Sequence, residues 1–150
     1  MFGIDPQFLI QALGFAFIVA GVAARTGTWK NWYWRSRGAV YGYIPLGFLF
    51  LLYSFNAQAE ERLGAYYVVY QGIGVLLLVL GVWWSLRPPA FVKPRWVRWI
   101  EEYPLKVRKA MQRAVENGDD WESHMTSREA VDAWVKTLRS KKRKSKSKTK

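Results

Sequence analysis

A chain of 150 residues is either one small domain or a few membrane helices with an appendage. Its residues are 51% hydrophobic and 17% aromatic, yet the mean hydropathy of −0.11 is near neutral, so apolar and charged residues are segregated along the chain. The absence of cysteine excludes disulfides, thiolate metal sites, Cys nucleophiles and palmitoylation, and a net charge of +12 calls for an anionic neighbour: lipid headgroups, nucleic acid or an acidic protein face.

In chain order, Asp5 and Pro6 precede an uncharged run over 8–24 that ends at Arg25. A cleavable signal peptide starts with basic residues; this acidic start reads as a retained first membrane helix. The segment 25–38 carries Arg25, Lys30, Arg35 and Arg37 among Trp29, Trp32, Tyr33 and Trp34, the composition of an interfacial loop. A second apolar span covers 39–55, with Pro45 expected to kink it. After a short polar link with Glu60, Glu61 and Arg62, the uncharged stretch 63–86 is about 36 Å long as a helix, enough to cross a bilayer with some tilt.

The fold expected is therefore all-α, with three transmembrane helices in 1–87. Placing the first loop and everything after Leu86 on one side gathers there all but Arg62 of the 23 lysines and arginines. Positive residues are retained inside, so the N-terminus is expected outside and the C-terminus in the cytoplasm, at a cell (inner) membrane. Trp29, Trp32, Trp34, Trp83, Trp84, Trp96 and Trp99 then fall near the inner interface, and Tyr53, Tyr66 and Tyr67 near the outer one.

Small residues recur at helical spacing within the spans: Gly14 with Gly21, Gly38 with Gly42, Gly74 with Gly81, and Ala12, Ala16, Ala20 and Ala24. Such faces let backbones approach closely, although Gly and Ala are also simply common in membrane helices. Gln11 and Gln71 each precede a glycine by three residues, a pattern that reads as a parallel pseudo-repeat whose two amides would hydrogen-bond if they met. The spans hold no Asp, Glu, Lys, Arg or His, which argues against a proton relay, an ion path and haem or pigment ligation; no cofactor is expected.

Pro88 and Pro89 stop the third span. Beyond them, over 94–103, Trp96, Trp99 and Ile100 share a face while Arg95 and Arg98 lie elsewhere, which suits an interfacial helix with tryptophans in lipid and arginines on phosphate. The other reading of that face is packing against the chain's own membrane bundle or a partner. Helices over 104–117 and 127–138 are expected to form a hairpin, with Trp134 against Met111 and a capping box of Thr126 and Glu129. Asp120, Glu122 and His124 between them read as a polar turn rather than a metal site. The tail 139–150 carries Arg139, Lys141, Lys142, Arg143, Lys144, Lys146, Lys148 and Lys150, has no apolar residue and is expected to be disordered on anionic lipid.

Nothing in this pattern supplies a nucleophile, acid–base pair or metal centre. The function expected is a non-catalytic accessory, scaffold or assembly subunit of a larger membrane complex, partnered by membrane lipids and by other membrane subunits or copies of itself. Two alternatives share the features: a membrane tether for nucleic acid or a ribosome through the basic tail, and a small homo-oligomeric pore-forming effector.

Overall fold

A computed structural model describes residues 5–35 and 39–147, with side chains to residue 140. It is built of helices and their connections, with no strand among the described residues. The chain divides into two compact units, 1–93 and 94–150.

In the first unit, α1 (Pro6–Thr26) opens with Pro at its first position and Asp5 as its cap, the carboxylate accepting the Gln7 N–H at 2.9 Å. It stops at Gly27, whose φ of 83° is the left-handed conformation that ends helices. A short α2 (Trp32–Arg35) follows, then a 3-10 turn (Ala39–Gly42), α3 (Tyr43–Ser54), α4 (Asn56–Leu63), a second 3-10 turn (Gly64–Tyr66) and α5 (Tyr67–Leu86). Pro45 was expected to kink a long helix; instead it stands in the first turn of α3, where its missing N–H would have had no intrahelical partner.

Two helical stretches, Pro6–Thr26 and Asn56–Leu86, are long and apolar enough to cross a membrane. The apolar stretch Ala39–Ser54 between them is shorter: its α part spans about 18 Å and its 3-10 part about 8 Å, against a hydrocarbon core of about 30 Å.

Glycine sets the packing of α3 on both neighbours. A Cβ on Gly47 would lie 2.6 Å from Ile18 Cγ1 and 2.7 Å from the Gly14 carbonyl, and one on Gly14 would lie 2.9 Å from the Gly47 carbonyl. Gly21 faces Ile44 in the same seam. On the other side a Cβ on Gly42 would strike the Gly81 carbonyl and Ser85 Oγ, and one on Gly81 would lie 2.6 Å from Leu46 Cγ. Contacts that rise along one helix as they fall along the other make α3 antiparallel to both α1 and α5. Those two therefore run the same way.

The second unit comprises α6 (Arg95–Glu101), α7 (Leu105–Glu116), a 3-10 turn (Ser123–Met125) and α8 (Arg128–Ser147). Both α6 and α7 pack on α8. Ile100 of α6, Met111 of α7 and Val131, Trp134 and Val135 of α8 are buried, with Trp121 and Met125 from the connection. The Tyr103 hydroxyl donates to the Asp132 carboxylate, tying the end of α6 to α8.

Gly72 supplies the control for the seams, because a Cβ there meets nothing within 4 Å. Gly47→Leu is expected to destabilise the bundle by about 1–3 kcal/mol through overpacking, read as a lower melting midpoint in mild detergent, whereas Gly72→Leu leaves the midpoint unchanged.

Candidate interaction surfaces

Five of the six glycines singled out from the sequence fall among the described residues. Gly14 and Gly21 lie in the α1–α3 seam and Gly42 and Gly81 in the α3–α5 seam, while Gly74 sits more loosely against Leu52, at 3.3 Å, and Leu49. Gly38 lies outside the described residues. Gly47 was missed because α3 serves two neighbours: five residues from Gly42, it falls about 140° round the helix, off any single stripe. Of the alanines spaced by four, Ala24 is buried while Ala12 and Ala16 are exposed.

Polar side chains at the two ends of the α3–α5 seam bond to one another or to backbone. At one end Gln71 donates its amide to Asn56 Oδ1 at 2.8 Å and to the Tyr67 hydroxyl, and Tyr67 donates to Asn56 at 3.0 Å. The Tyr70 hydroxyl donates to the Leu52 carbonyl. Gln71 is thus committed to Asn56 and Tyr67 rather than to Gln11, and α3 packs between the helices that carry the two glutamines. At the other end Ser85 donates to the carbonyls of Gly81 at 2.8 Å and Ala39 at 3.2 Å.

Outside the seams the bundle is apolar and open. Phe8, Phe15 and Val19 on α1 and Val68, Val75, Leu76, Val79 and Trp83 on α5 are all more than half exposed. Exposed apolar side chains of this kind suit contact with lipid or with other proteins.

The tryptophans expected at the inner interface divide into two sets. Trp29 and Trp83 are exposed, and Trp84 is half-buried, with Phe91 packed edge-on at 5.9 Å. Trp32 and Trp34 are buried in an edge-to-face cluster: Trp32 meets Tyr41 at 5.1 Å and Tyr33 at 5.8 Å, and Tyr33 meets Trp34 at 5.0 Å.

The helix over 94–103 differs from the lipid-facing arrangement expected of it. Trp96 is 6% exposed and packs at 6.2 Å from Trp121, Val97 and Ile100 are fully buried, and Trp99 is half-buried. The face goes to protein, but within its own unit, to Trp121 and α8, rather than to the membrane bundle or a partner. Arg95 and Arg98 remain exposed. Trp121 could not be anticipated as the partner, since it lies in a polar connection without periodicity.

The C-terminal basic stretch also departs from expectation. Rather than beginning a disordered segment at Arg139, α8 continues through Ser147, so Arg139, Lys141, Lys142, Arg143, Lys144 and Lys146 stand on a helix; Lys148 and Lys150 lie outside the described residues. Lys and Arg are good helix formers, and a helix already nucleated and anchored by Val131, Trp134 and Val135 adds further residues at little cost.

The cap of α8 is Ser127, one residue beyond the expected Thr126. Its Oγ accepts the Ala130 N–H at 3.2 Å, while Thr126 bonds back to the Ser123 carbonyl. Glu129 completes the turn: hydrogen bonds from its own backbone N–H and from the Ser127 hydroxyl hold its carboxyl below the usual glutamate range. Between α7 and α8, His124 stacks on Trp134 with ring centroids 5.4 Å apart, and no three of His, Asp and Glu converge as metal ligands among the described residues. A cleft of about 470 Å³ lies nearby, lined by Lys106, Lys109 and Arg113 of α7 and Leu138 of α8.

Because the bonds at Glu129 favour its ionised form in the fold, their contribution is whole above the usual carboxyl value of 4.5 and is lost as the pH falls through the lowered value. Glu129 is expected to titrate below the usual glutamate value of 4.5 by carboxyl NMR. Ser127→Ala is expected to raise the Glu129 value only part of the way back, because the larger backbone bond remains, and to weaken α8 by about 1 kcal/mol.

Comparison of the chain with protein families, with curated proteins and with solved structures finds no match.

Proposed function

We propose that the chain is a non-catalytic integral membrane protein that serves as an accessory, scaffold or assembly subunit of a larger membrane complex. Its first unit crosses the membrane three times, with the N-terminus outside and the C-terminus in the cytoplasm. The support for three crossings is directional. Two helices long enough to cross run the same way, and chain that leaves one such helix on the inner side must return to the outer side before entering the next. The segment that returns is α3, which packs along both; its shortfall against the hydrocarbon thickness is of the kind that local thinning of the bilayer absorbs.

The observation that carries the subunit reading is how the bundle's polar groups are used. Hydroxyls and amides join α5 to Asn56 at the start of α4, to the Leu52 carbonyl of α3 and to the Ala39 carbonyl of the 3-10 turn, and the outward faces of α1 and α5 offer apolar side chains alone over long stretches. Such a bundle is equipped for contact with lipid and with other helices. Its cytoplasmic unit presents basic residues to an anionic leaflet or to an acidic partner.

Extraction in a gentle detergent followed by mass spectrometry of the intact species tests the reading. A stoichiometric complex with one or more other membrane proteins is the expected result. A monomer with no companion at every detergent strength contradicts it, and dye leakage from liposomes caused by the purified chain alone would replace it with a pore-forming one.

A further inference from the structure

We propose that the cleft between α7 and α8 is a binding site for one anionic phospholipid headgroup. The inference deepens the reading above and rests on the second unit lying at the inner face of a membrane. Lys106, Lys109 and Arg113 fall at helical offsets of 0, 3 and 7, which turns all three towards one wall of the cleft. All are exposed, and none makes an ion pair among the described residues. Ala110 and Ala114 line the cleft on the side of the helix next to them, so a phosphate can approach the backbone closely while the three long side chains reach over it. Asp119 is the one carboxylate in the lining, leaving three cations against a single acid. A volume of about 470 Å³ lies within the range of sites that hold small polar molecules.

Two observations select a lipid over a polynucleotide. Leu105, adjacent to Lys106, is 60% exposed and is the only large apolar side chain left so open among the described residues of this unit. An apolar side chain beside cations suits insertion next to a headgroup, with the leucine among acyl chains and the cations on phosphate. In addition, no aromatic lines the cleft on which a base could stack. The tether acts in the same direction. Residues 87–94 separate α5 from α6 and reach at most about 28 Å, so a unit attached to a membrane-crossing α5 stays close to headgroups.

The test uses the full chain in mild detergent, with native mass spectrometry after adding phosphatidylglycerol or phosphatidylcholine of identical acyl chains. The wild type is expected to retain phosphatidylglycerol at least tenfold better. The combined variant Lys106→Ser, Lys109→Ser and Arg113→Ser is expected to lose that preference by about tenfold or more. Lys106→Arg with Lys109→Arg keeps the preference, which separates loss of charge from loss of fold, and deletion of 139–150 keeps it too, which separates the cleft from the tail. Undiminished preference in the triple-serine variant overturns the proposal. Equal competition by soluble glycerol phosphate also overturns it, by assigning the cleft to a free phosphate, and displacement of the lipid by a short single-stranded oligonucleotide overturns it in favour of nucleic acid. A chain that is partnerless yet selects phosphatidylglycerol fails the subunit reading alone; one that has partners and lacks selectivity fails the cleft alone.

Discussion

Close approach of α3 to α1 on one side and α5 on the other is the constraint on which the first unit depends. A side chain at Gly14, Gly47 or Gly42 would force backbones apart at points where carbonyl oxygens now fill the space, and one at Gly81 would strike the Leu46 side chain. In an apolar solvent this matters more than in water, because lipid tails satisfy leucine as well as another helix does and only shape and hydrogen bonding distinguish a helix partner. The glycines supply the shape. The hydrogen bonds then fasten the two ends of the α3–α5 seam, with Asn56, Tyr67 and Gln71 at one end and Ser85 on backbone carbonyls at the other. Between those ends the helices bury little, and on the proposed reading the apolar exterior is open to lipid or to a neighbouring subunit.

The second unit is held together differently. Two helices alone would expose the tryptophan-rich face of α6, and a hairpin of α7 and α8 alone would have too thin a core. Joining the three resolves both shortages, since Trp96 meets Trp121 and Ile100, Met111, Val131 and Trp134 are all buried. With its apolar residues turned inward, the unit keeps its cations outside, and α8 carries them onward as a regular helix.

Much of this was legible from the residues. Charge segregation, the apolar runs and the stops at Pro88 and Pro89 mark out all-helical architecture with long apolar stretches, and Gly14, Gly21, Gly42 and Gly81, chosen by spacing, lie in the two seams. What escaped has a common cause. Periodicity reports that a helix has a face, but not what covers it: Trp beside Arg just after the third span favours a lipid-facing reading of the face holding Trp96, and the face is covered by protein. A helix with two neighbours spreads its contacts over two directions, which hid Gly47. Gln71 found Asn56 and Tyr67 rather than Gln11 because α3 packs between α1 and α5. Composition alone also misjudged 139–147, where helix propensity and an anchored start outweigh the lack of apolar residues.

Crossing of the bilayer by α3 is the central claim, and sidedness of the two connections that flank it tests it most directly. The natural chain has no cysteine, so single cysteines placed at Thr28, between α1 and α3, and at Glu60, between α3 and α5, report without background. With a membrane-impermeant thiol reagent on intact cells, the account predicts labelling of Glu60→Cys from outside and of Thr28→Cys only after the membrane is opened. Labelling of both from the same side would show that α3 does not traverse the layer and would contradict the account.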